Sequence, residues 1–267
     1  MNQSEKRVFL IQALLNEREE YRGVCLPSGS AEQRELLRGL MNIRRARRSS
    51  PEFLLVQDEY LQDETASKGI TDIADLAPVS PGLYLWQGDI TTLRCDAIVN
   101  AANSGMTGCY VPNHRCIDNA IHTFAGVQLR QYCEEMMQRQ GYPEPTGRAK
   151  LTPAFNLPCR YILHTVGPVI DRSVTAQDEK LLASCYRSCL ELAAENGLES
   201  VAFCCISTGE FHFPNEPAAR IAVKTVREFL AKDTSVRKVV FNVFKELDRV
   251  IYAELLEEPR TASDGAE

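Results

Sequence analysis

The chain has 267 residues, of which 44% are hydrophobic and 25% charged, a composition typical of a globular protein with a sizeable core. Its net charge of −6 argues against non-specific binding to nucleic acid, because the phosphate backbone favours a basic surface. No apolar run reaches the length of a membrane span and the amino-terminal segment does not resemble a signal peptide, so we expect a cytoplasmic protein that binds neither nucleic acid nor membranes.

Residues 1–76 carry helical patterns and no strand pattern. Helices are predicted over three segments: 5–20, 31–48 and 51–62. The second ends in the basic run Arg44–Arg48, which is typical of a solvated helix face; a patch for nucleic acid or a partner is the alternative. Pro78 and Pro81 then indicate a linker. We therefore predict a helical N-terminal extension over residues 1–76.

After Pro81 the pattern changes to strands that alternate with helices. Short apolar strands are predicted over five segments: 83–86, 96–102, 161–165, 201–206 and 238–244. Helices are predicted over three segments: 117–140, 179–196 and 214–230. This alternation predicts an α/β sandwich around a largely parallel sheet over residues 77–257. Residues 258–267 are small and polar, and we expect them to form a flexible tail.

Polar residues follow three of these strands, at the sheet edge where parallel α/β folds bind ligands. The carboxylate of Asp89 can accept a hydrogen bond from an exocyclic amine, although Gly-Asp is also common in turns. Asn100 and Asn103 offer carboxamides that can bind sugar hydroxyls or form Asx turns and caps. The segment 207–211, Ser-Thr-Gly-Glu-Phe, leads into a helix, and its small residues allow a phosphate to approach the backbone closely.

The loop 109–116, which we name the metal loop, contains two cysteines and a histidine. Cys109, His114 and Cys116 offer two thiolates and an imidazole, and sulfur with nitrogen ligands suits zinc. Three protein ligands leave a fourth position open, as in catalytic zinc sites. The alternative is two half-buried cysteines and a chance histidine. Most other cysteines lie in apolar patterns and are expected to be buried thiols rather than disulfides.

The three strand-end segments together resemble those of the macrodomain family, and the resemblance runs from about residue 81 to 244. It implies a three-layer α/β/α fold with a mixed, largely parallel central sheet that binds ADP-ribose. Adenine would contact Asp89, Ile90 and Phe244, with core packing as the alternative for Phe244. The distal ribose would lie near Asn100 and Asn103, and the diphosphate would lie on segment 207–211. The ADP-ribose-binding residues implied in this way are Asp89, Ile90, Asn100, Asn103, Ile117, Asp118, Ser207, Thr208, Gly209, Glu210, Phe211 and Phe244.

The chain departs from the family pattern at the metal loop. Hydrolytic macrodomains have a glycine-rich run at this position, which the metal loop replaces. The Ile-Asp-x-Ala-Ile-His segment that follows is retained, and it places Asp118 at the position of the family's catalytic aspartate. Asp118 and Asn103 are thus the expected catalytic residues. Because the metal loop lies beside the expected distal ribose, zinc is the favoured interpretation. The arrangement resembles a bacterial zinc-containing macrodomain subgroup, which also carries a helical N-terminal extension, and it implies one zinc per chain.

This resemblance implies a zinc-dependent protein-ADP-ribose hydrolase. Such an enzyme would remove mono-ADP-ribose from aspartate or glutamate side chains and so reverse ADP-ribosylation by a sirtuin-like transferase. By resemblance to the subgroup, the modified target would be a lipoyl-carrier protein. Two alternatives remain: a deacetylase of O-acetyl-ADP-ribose, and a module that binds ADP-ribose without turnover. Asp118 and the metal loop weigh against the binding module.

Overall fold

The computed structural model describes residues 1–257, so the tail predicted for 258–267 lies outside the described residues. The helices are α1 (Gln3–Leu15), α2 (Ser30–Ile43), α3 (Pro51–Lys68), α4 (Ile117–Ala125), α5 (Val127–Gln140), α6 (Ala176–Glu195), α7 (Asn215–Leu230) and α8 (Glu246–Glu257). The strands are β1 (Thr71–Asp72), β2 (Leu83–Gln87), β3 (Leu93–Arg94), β4 (Ala97–Ala102), β5 (Ala149–Pro153), β6 (Tyr161–Val166), β7 (Ser200–Phe203) and β8 (Lys238–Val243). No helix within residues 1–257 is long and apolar enough to cross a membrane.

Six strands form one sheet in the order β2-β8-β7-β4-β6-β5. All neighbours in it are parallel except β5, which runs antiparallel to β6. Helices α6, α7 and α8 pack together on one side of the sheet, and α4 and α5 contact β4 and β5 on the other. Burial on both faces explains why the central strands β4, β7 and β8 read as continuous apolar runs. The fold is therefore the predicted three-layer α/β/α arrangement.

Helices α1, α2 and α3 precede the sheet and have an apolar core of their own. An asparagine capping box formed by Asn2 and Glu5 starts α1, and Ser50 caps α3 just before Pro51. Their shared apolar core consists of Leu10, Ile11, Leu14, Leu37, Leu40, Met41, Phe53, Val56, Tyr60 and Leu61, joined by Val127 of α5. The extension packs on α4, which begins directly after the metal loop. The boundary at residues 76 and 77 stays a prediction.

The helix predicted over 117–140 is two helices that meet at Gly126. This glycine has φ +99° and ψ 168°, and a Cβ there would lie 2.8 Å from Gln57 Nε2. The backbone amide of Val127 donates to Gln57 Oε1 at 2.9 Å, so a side chain from α3 starts the second helix. Because Gln57 is remote in sequence, the local pattern could not indicate this break.

Other element boundaries also differ from the prediction. The first helix ends at Leu15 rather than near residue 20, α3 continues to Lys68, and β7 ends at Phe203. The elements β1, β3, β5 and α8 were not predicted. In the basic run, α2 ends at Ile43 and the buried Arg44 forms an ion pair with Glu17 at 2.8 Å. The prediction of a solvated helix face is therefore wrong for Arg44.

Candidate active site

Asp118 lies in the first turn of α4 and is only 5% exposed; its neighbour Ile117 is half-buried. Asn100 Nδ2 donates to Asp118 Oδ1 at 2.8 Å, and Asn103 Nδ2 donates to Oδ2 at 3.2 Å. Burial raises the pKa of Asp118 to about 6, although the two carboxamides and the charge of Arg130 act in the opposite direction. The carboxylate is held in one orientation and is mostly ionised at neutral pH.

Two buried histidines surround this carboxylate. Asn100 Nδ2 lies 3.1 Å from His164 Nδ1, and His122 Nε2 lies 3.6 Å from Asp118 Oδ1. Burial lowers the pKa of His164 to about 3 and the pKa of His122 well below its ordinary value. Both rings are therefore neutral, and Asn100 is itself fully buried behind Asp118.

The three predicted metal ligands are brought together. The ligand atoms of Cys109, His114 and Cys116 all lie within 4.8 Å of one another, and Cys109 Sγ is 3.5 Å from His114 Nδ1. Zinc bonds of about 2.0–2.3 Å in tetrahedral geometry require ligand separations of about 3.5 Å, so the donor set fits zinc. Burial raises the pKa of the Cys116 thiol to about 12, and a bound metal ion would favour its thiolate form. His114 Nε2 lies 3.6 Å from Glu210 Oε1, a pairing typical of metal-bound imidazoles.

A second cluster meets the same separation of 4.8 Å but does not suit a metal. It consists of His122, Cys133 and His164, all buried. Both ring nitrogens of His164 already have hydrogen-bond partners, Asn100 Nδ2 and Thr152 Oγ1. The ligand residues of the metal loop are half-buried instead, so a metal ion can reach them from solvent.

The segment 207–211 forms a tight turn between β7 and α7. It contains Ser207, Thr208, Gly209, Glu210 and Phe211. Ser207 has φ +65°, and its carbonyl oxygen accepts the Phe213 N–H at 2.9 Å to close the turn. Within residues 1–257, the backbone amides of residues 209, 210 and 211 donate to no protein acceptor. Neighbouring free amides of this kind bind anions. The space around Gly209 is open, because a Cβ there would meet nothing within 4 Å.

Asp89, Ile90 and Phe244 lie together at the edge formed by β2 and β8. Asp89 Oδ1 accepts from the Thr91 N–H at 3.0 Å, whereas its Oδ2 lies 3.2 Å from Lys68 Nζ. Ile90 is buried beneath this turn. The parallel pairing of β2 with β8 brings the turn next to Phe244, whose side chain is 77% exposed. An exposed ring beside a carboxylate can bind a flat, amine-bearing group.

Two arginines that hold the metal loop were not predicted. Arg130 of α5 donates to the Thr107 carbonyl at 2.7 Å and to the Cys109 carbonyl at 3.4 Å. Arg38 of α2 donates to the carbonyl of His114 at 3.0 Å. The sequence offered one signal for Arg130: this charged residue lies among the apolar residues that form the buried face of α5. A buried arginine needs partners, so its position indicates a structural role. For Arg38 the sequence carries no signal, because its partner is 76 positions away.

Comparison with known proteins agrees with this geometry. The Macro domain family model matches residues 99–222, which include Asp118 and the metal loop. The chain is 58% identical to a protein from Treponema medium named protein-ADP-ribose hydrolase, over 96% of this chain and all of the relative. It is 50% identical to a protein of the same name from Staphylococcus aureus, over 93% of this chain and 94% of the relative.

Solved structures show the same similarity. A Trypanosoma brucei macrodomain in complex with ADP-ribose matches with a TM-score of 0.64 and 31% identity, over 86% of this chain and 97% of that chain. An Oceanobacillus iheyensis macrodomain with ADP matches with a TM-score of 0.61 and 38% identity, over 68% of this chain and 93% of that chain. Both neighbours therefore share much of their fold with this chain.

Proposed function

The chain belongs to the macrodomain family, and on that premise we propose that it is a zinc-dependent hydrolase that removes mono-ADP-ribose from proteins. The observation that carries this proposal is the fixed carboxylate of Asp118 beside three convergent metal ligands. A module that only binds ADP-ribose has no need for this buried charge, which burial disfavours. The relatives named protein-ADP-ribose hydrolase support the same class of reaction.

ADP-ribose would lie across the carboxyl ends of the parallel strands. Asp89 Oδ2, which accepts from Lys68 Nζ and is partly exposed, also accepts the adenine amine, with Ile90 beneath the base and the ring of Phe244 against it. The free amides of segment 207–211 bind the diphosphate. The distal ribose would then lie between Asn103 and the metal loop; the contact of His114 with Glu210 of the phosphate-binding segment supports this position.

Asp118 orients the attacking water and accepts its proton. The water oxygen bonds to the anomeric carbon of the distal ribose as the bond from that carbon to the protein carboxylate breaks. The leaving carboxylate keeps the bonding electrons and needs no proton, so an aspartate or glutamate linkage suits a site with one general base. Asn103 holds Asp118 directly, and the full burial of Asn100 favours support of Asp118 over contact with ribose.

Cys109, His114 and Cys116 would hold the zinc, with Glu210 oriented toward the free nitrogen of His114. When bound, zinc supplies Lewis acidity that polarises a ribose hydroxyl or lowers the pKa of a water molecule. Three protein ligands are the number typical of catalytic rather than structural zinc sites. All ten cysteines are free thiols, as expected in a reducing compartment. We therefore propose that the enzyme is cytoplasmic.

The target is proposed to be a lipoyl-carrier protein modified by a sirtuin-like transferase, as the resemblance to the zinc-containing subgroup implies. A Fusarium oxysporum relative, 41% identical over 85% of this chain, is named a probable bifunctional ADP-ribose hydrolase/ADP-ribosyltransferase. This chain covers 42% of that relative. A name that joins the two activities in one polypeptide supports an enzyme that works opposite a transferase.

One incubation series separates the proposed function from its alternatives. The protein is mixed with a glutamate-modified target protein and, separately, with O-acetyl-ADP-ribose, and free ADP-ribose is measured. Release from the modified protein at the higher kcat/KM supports the hydrolase. Turnover of O-acetyl-ADP-ribose alone supports the deacetylase. Binding of ADP-ribose without turnover of either substrate supports the binding module and contradicts the hydrolase.

A further inference from the structure

We propose that Arg38, in helix α2 of the N-terminal extension, is a positioning residue that holds the metal loop in its ligand-binding shape. The extension would then be part of the catalytic unit rather than an appended bundle. The inference rests on the metal site of the proposed function, but its contacts are independent of any bound ion.

Arg38 is connected to both arms of the metal loop. Its Nη2 donates to the backbone carbonyl of the ligand residue His114 and to Asn119 Oδ1, each at 3.0 Å. Asn119 Nδ2 in turn donates to the carbonyl of Val111 at 3.0 Å. One guanidinium therefore fixes His114 directly and Val111 through Asn119. A planar guanidinium suits this task because its donors keep a fixed geometry.

The next turn of α2 contacts the same loop. The backbone amide of Asn113 donates to Asn42 Oδ1 at 3.0 Å, and Asn42 Nδ2 donates to Thr123 Oγ1 on α4 at 2.9 Å. Asn113 has φ +55°, a left-handed conformation that requires support from its surroundings. At Gly39, a Cβ would lie 3.3 Å from Asn113 Nδ2, so the backbone of α2 lies against the loop.

The loop itself has little internal structure that could replace these contacts. Its residues form no helix or strand, and its one internal backbone hydrogen bond joins His114 N–H to the Val111 carbonyl at 3.3 Å. Partners that orient metal ligands from behind usually change metal affinity by about 10- to 100-fold. We therefore expect Arg38 to contribute to metal affinity on that scale.

The contribution of Arg38 to folding should be small. Its Nε is buried without a hydrogen-bond partner. This unpaired donor disfavours the arginine at this position, so replacing it removes that cost together with the contacts to the loop. A positioning role therefore predicts that replacing Arg38 weakens zinc binding with little loss of stability. A merely structural role predicts that the replacement lowers stability instead.

The test compares Arg38→Met with Arg34→Met in the full chain. Arg34 lies one turn earlier on α2 and donates to Ser30 Oγ at 2.9 Å, away from the metal loop, so it is the matched control. Zinc affinity is measured by competition with a chromophoric chelator. Amide hydrogen exchange of residues 109–116 is measured in the metal-free protein, and thermal unfolding of the metal-free protein verifies folding.

We expect Arg38→Met to weaken zinc binding by about tenfold or more and to speed exchange in the metal loop, with both readouts unchanged in Arg34→Met. Zinc affinity within twofold of wild type, with unchanged loop exchange, would overturn the proposal. If wild type binds no zinc, the metal is lost from the proposed function, and loop exchange alone decides the role of Arg38. If Arg38→Met unfolds, Arg38→Lys replaces it, and wild-type loop exchange in that variant overturns the proposal.

Discussion

Replacing Asp89 with alanine should weaken ADP-ribose binding through the loss of one carboxylate oxygen. Thr91 occupies Oδ1 of Asp89, with its N–H at 3.0 Å and its hydroxyl at 2.6 Å, whereas Oδ2 is contacted by the ammonium group of Lys68 at 3.2 Å. Both side chains of this ion pair are partly exposed, so Oδ2 can accept an additional donor. Losing a charged acceptor costs about 1–3 kcal/mol, which raises the Kd by roughly 5- to 150-fold.

Asp72 provides a matched control for this substitution. It accepts the Ala74 N–H at 2.9 Å at the start of a similar short turn, and its Oδ2 lies 3.6 Å from Arg94 Nη1. Either alanine variant loses a cap and an ion pair, with an expected loss of about 0.5–2 kcal/mol in unfolding free energy. Calorimetric titration with ADP-ribose should show weaker binding in Asp89→Ala alone. A Kd within twofold of wild type, or equal weakening in Asp72→Ala, would refute the adenine assignment.

Three further predictions concern the metal, the aromatic ring and the backbone. Elemental analysis of protein purified without chelators should give about one zinc per chain. Cys109→Ala should lower this zinc content, and an unchanged zinc content in the variant would contradict the ligand assignment. Phe244→Ala should weaken ADP-ribose binding by about 0.5–1.5 kcal/mol in calorimetry, and unchanged affinity would remove Phe244 from the site. Gly108→Ala should lower the unfolding free energy in urea by about 1–3 kcal/mol, because its φ is +84° and the new Cβ would lie 2.7 Å from the His122 ring. Gly23→Ala, with φ +93° and open space around its Cβ, should cost less; equal losses would contradict the steric explanation.

The layered fold could be predicted because burial on both sheet faces leaves continuous apolar strands. The family, the fold class and the hydrolase function are confirmed by the relatives and solved structures. Strand β5 was missed because it is a short edge strand in which Lys150 interrupts the apolar pattern and Pro153 ends it. The break at Gly126 was missed because it depends on Gln57, which is 70 positions from the amide it accepts.

The candidate site could be predicted where chemistry lies within a short segment. The spacing of Cys109, His114 and Cys116 indicated a metal loop, and the structure brings these three side chains together. The residues that hold the loop come from distant helices, and pairs such as Arg38 with His114 have no local signature. Sequence patterns thus indicated the reactive groups, whereas their supports required the tertiary structure.

Hydrolysis at Asp118 is tested most directly by single-turnover release of ADP-ribose from a glutamate-linked protein. We expect release by the wild-type protein and a rate in Asp118→Ala that is lower by on the order of a hundredfold or more. The Kd for ADP-ribose should change much less, because the carboxylate acts mainly in the transition state. A variant that binds and releases ADP-ribose like wild type would remove Asp118 from the reaction. A wild-type protein that binds ADP-ribose but releases none from any linkage would contradict hydrolysis itself.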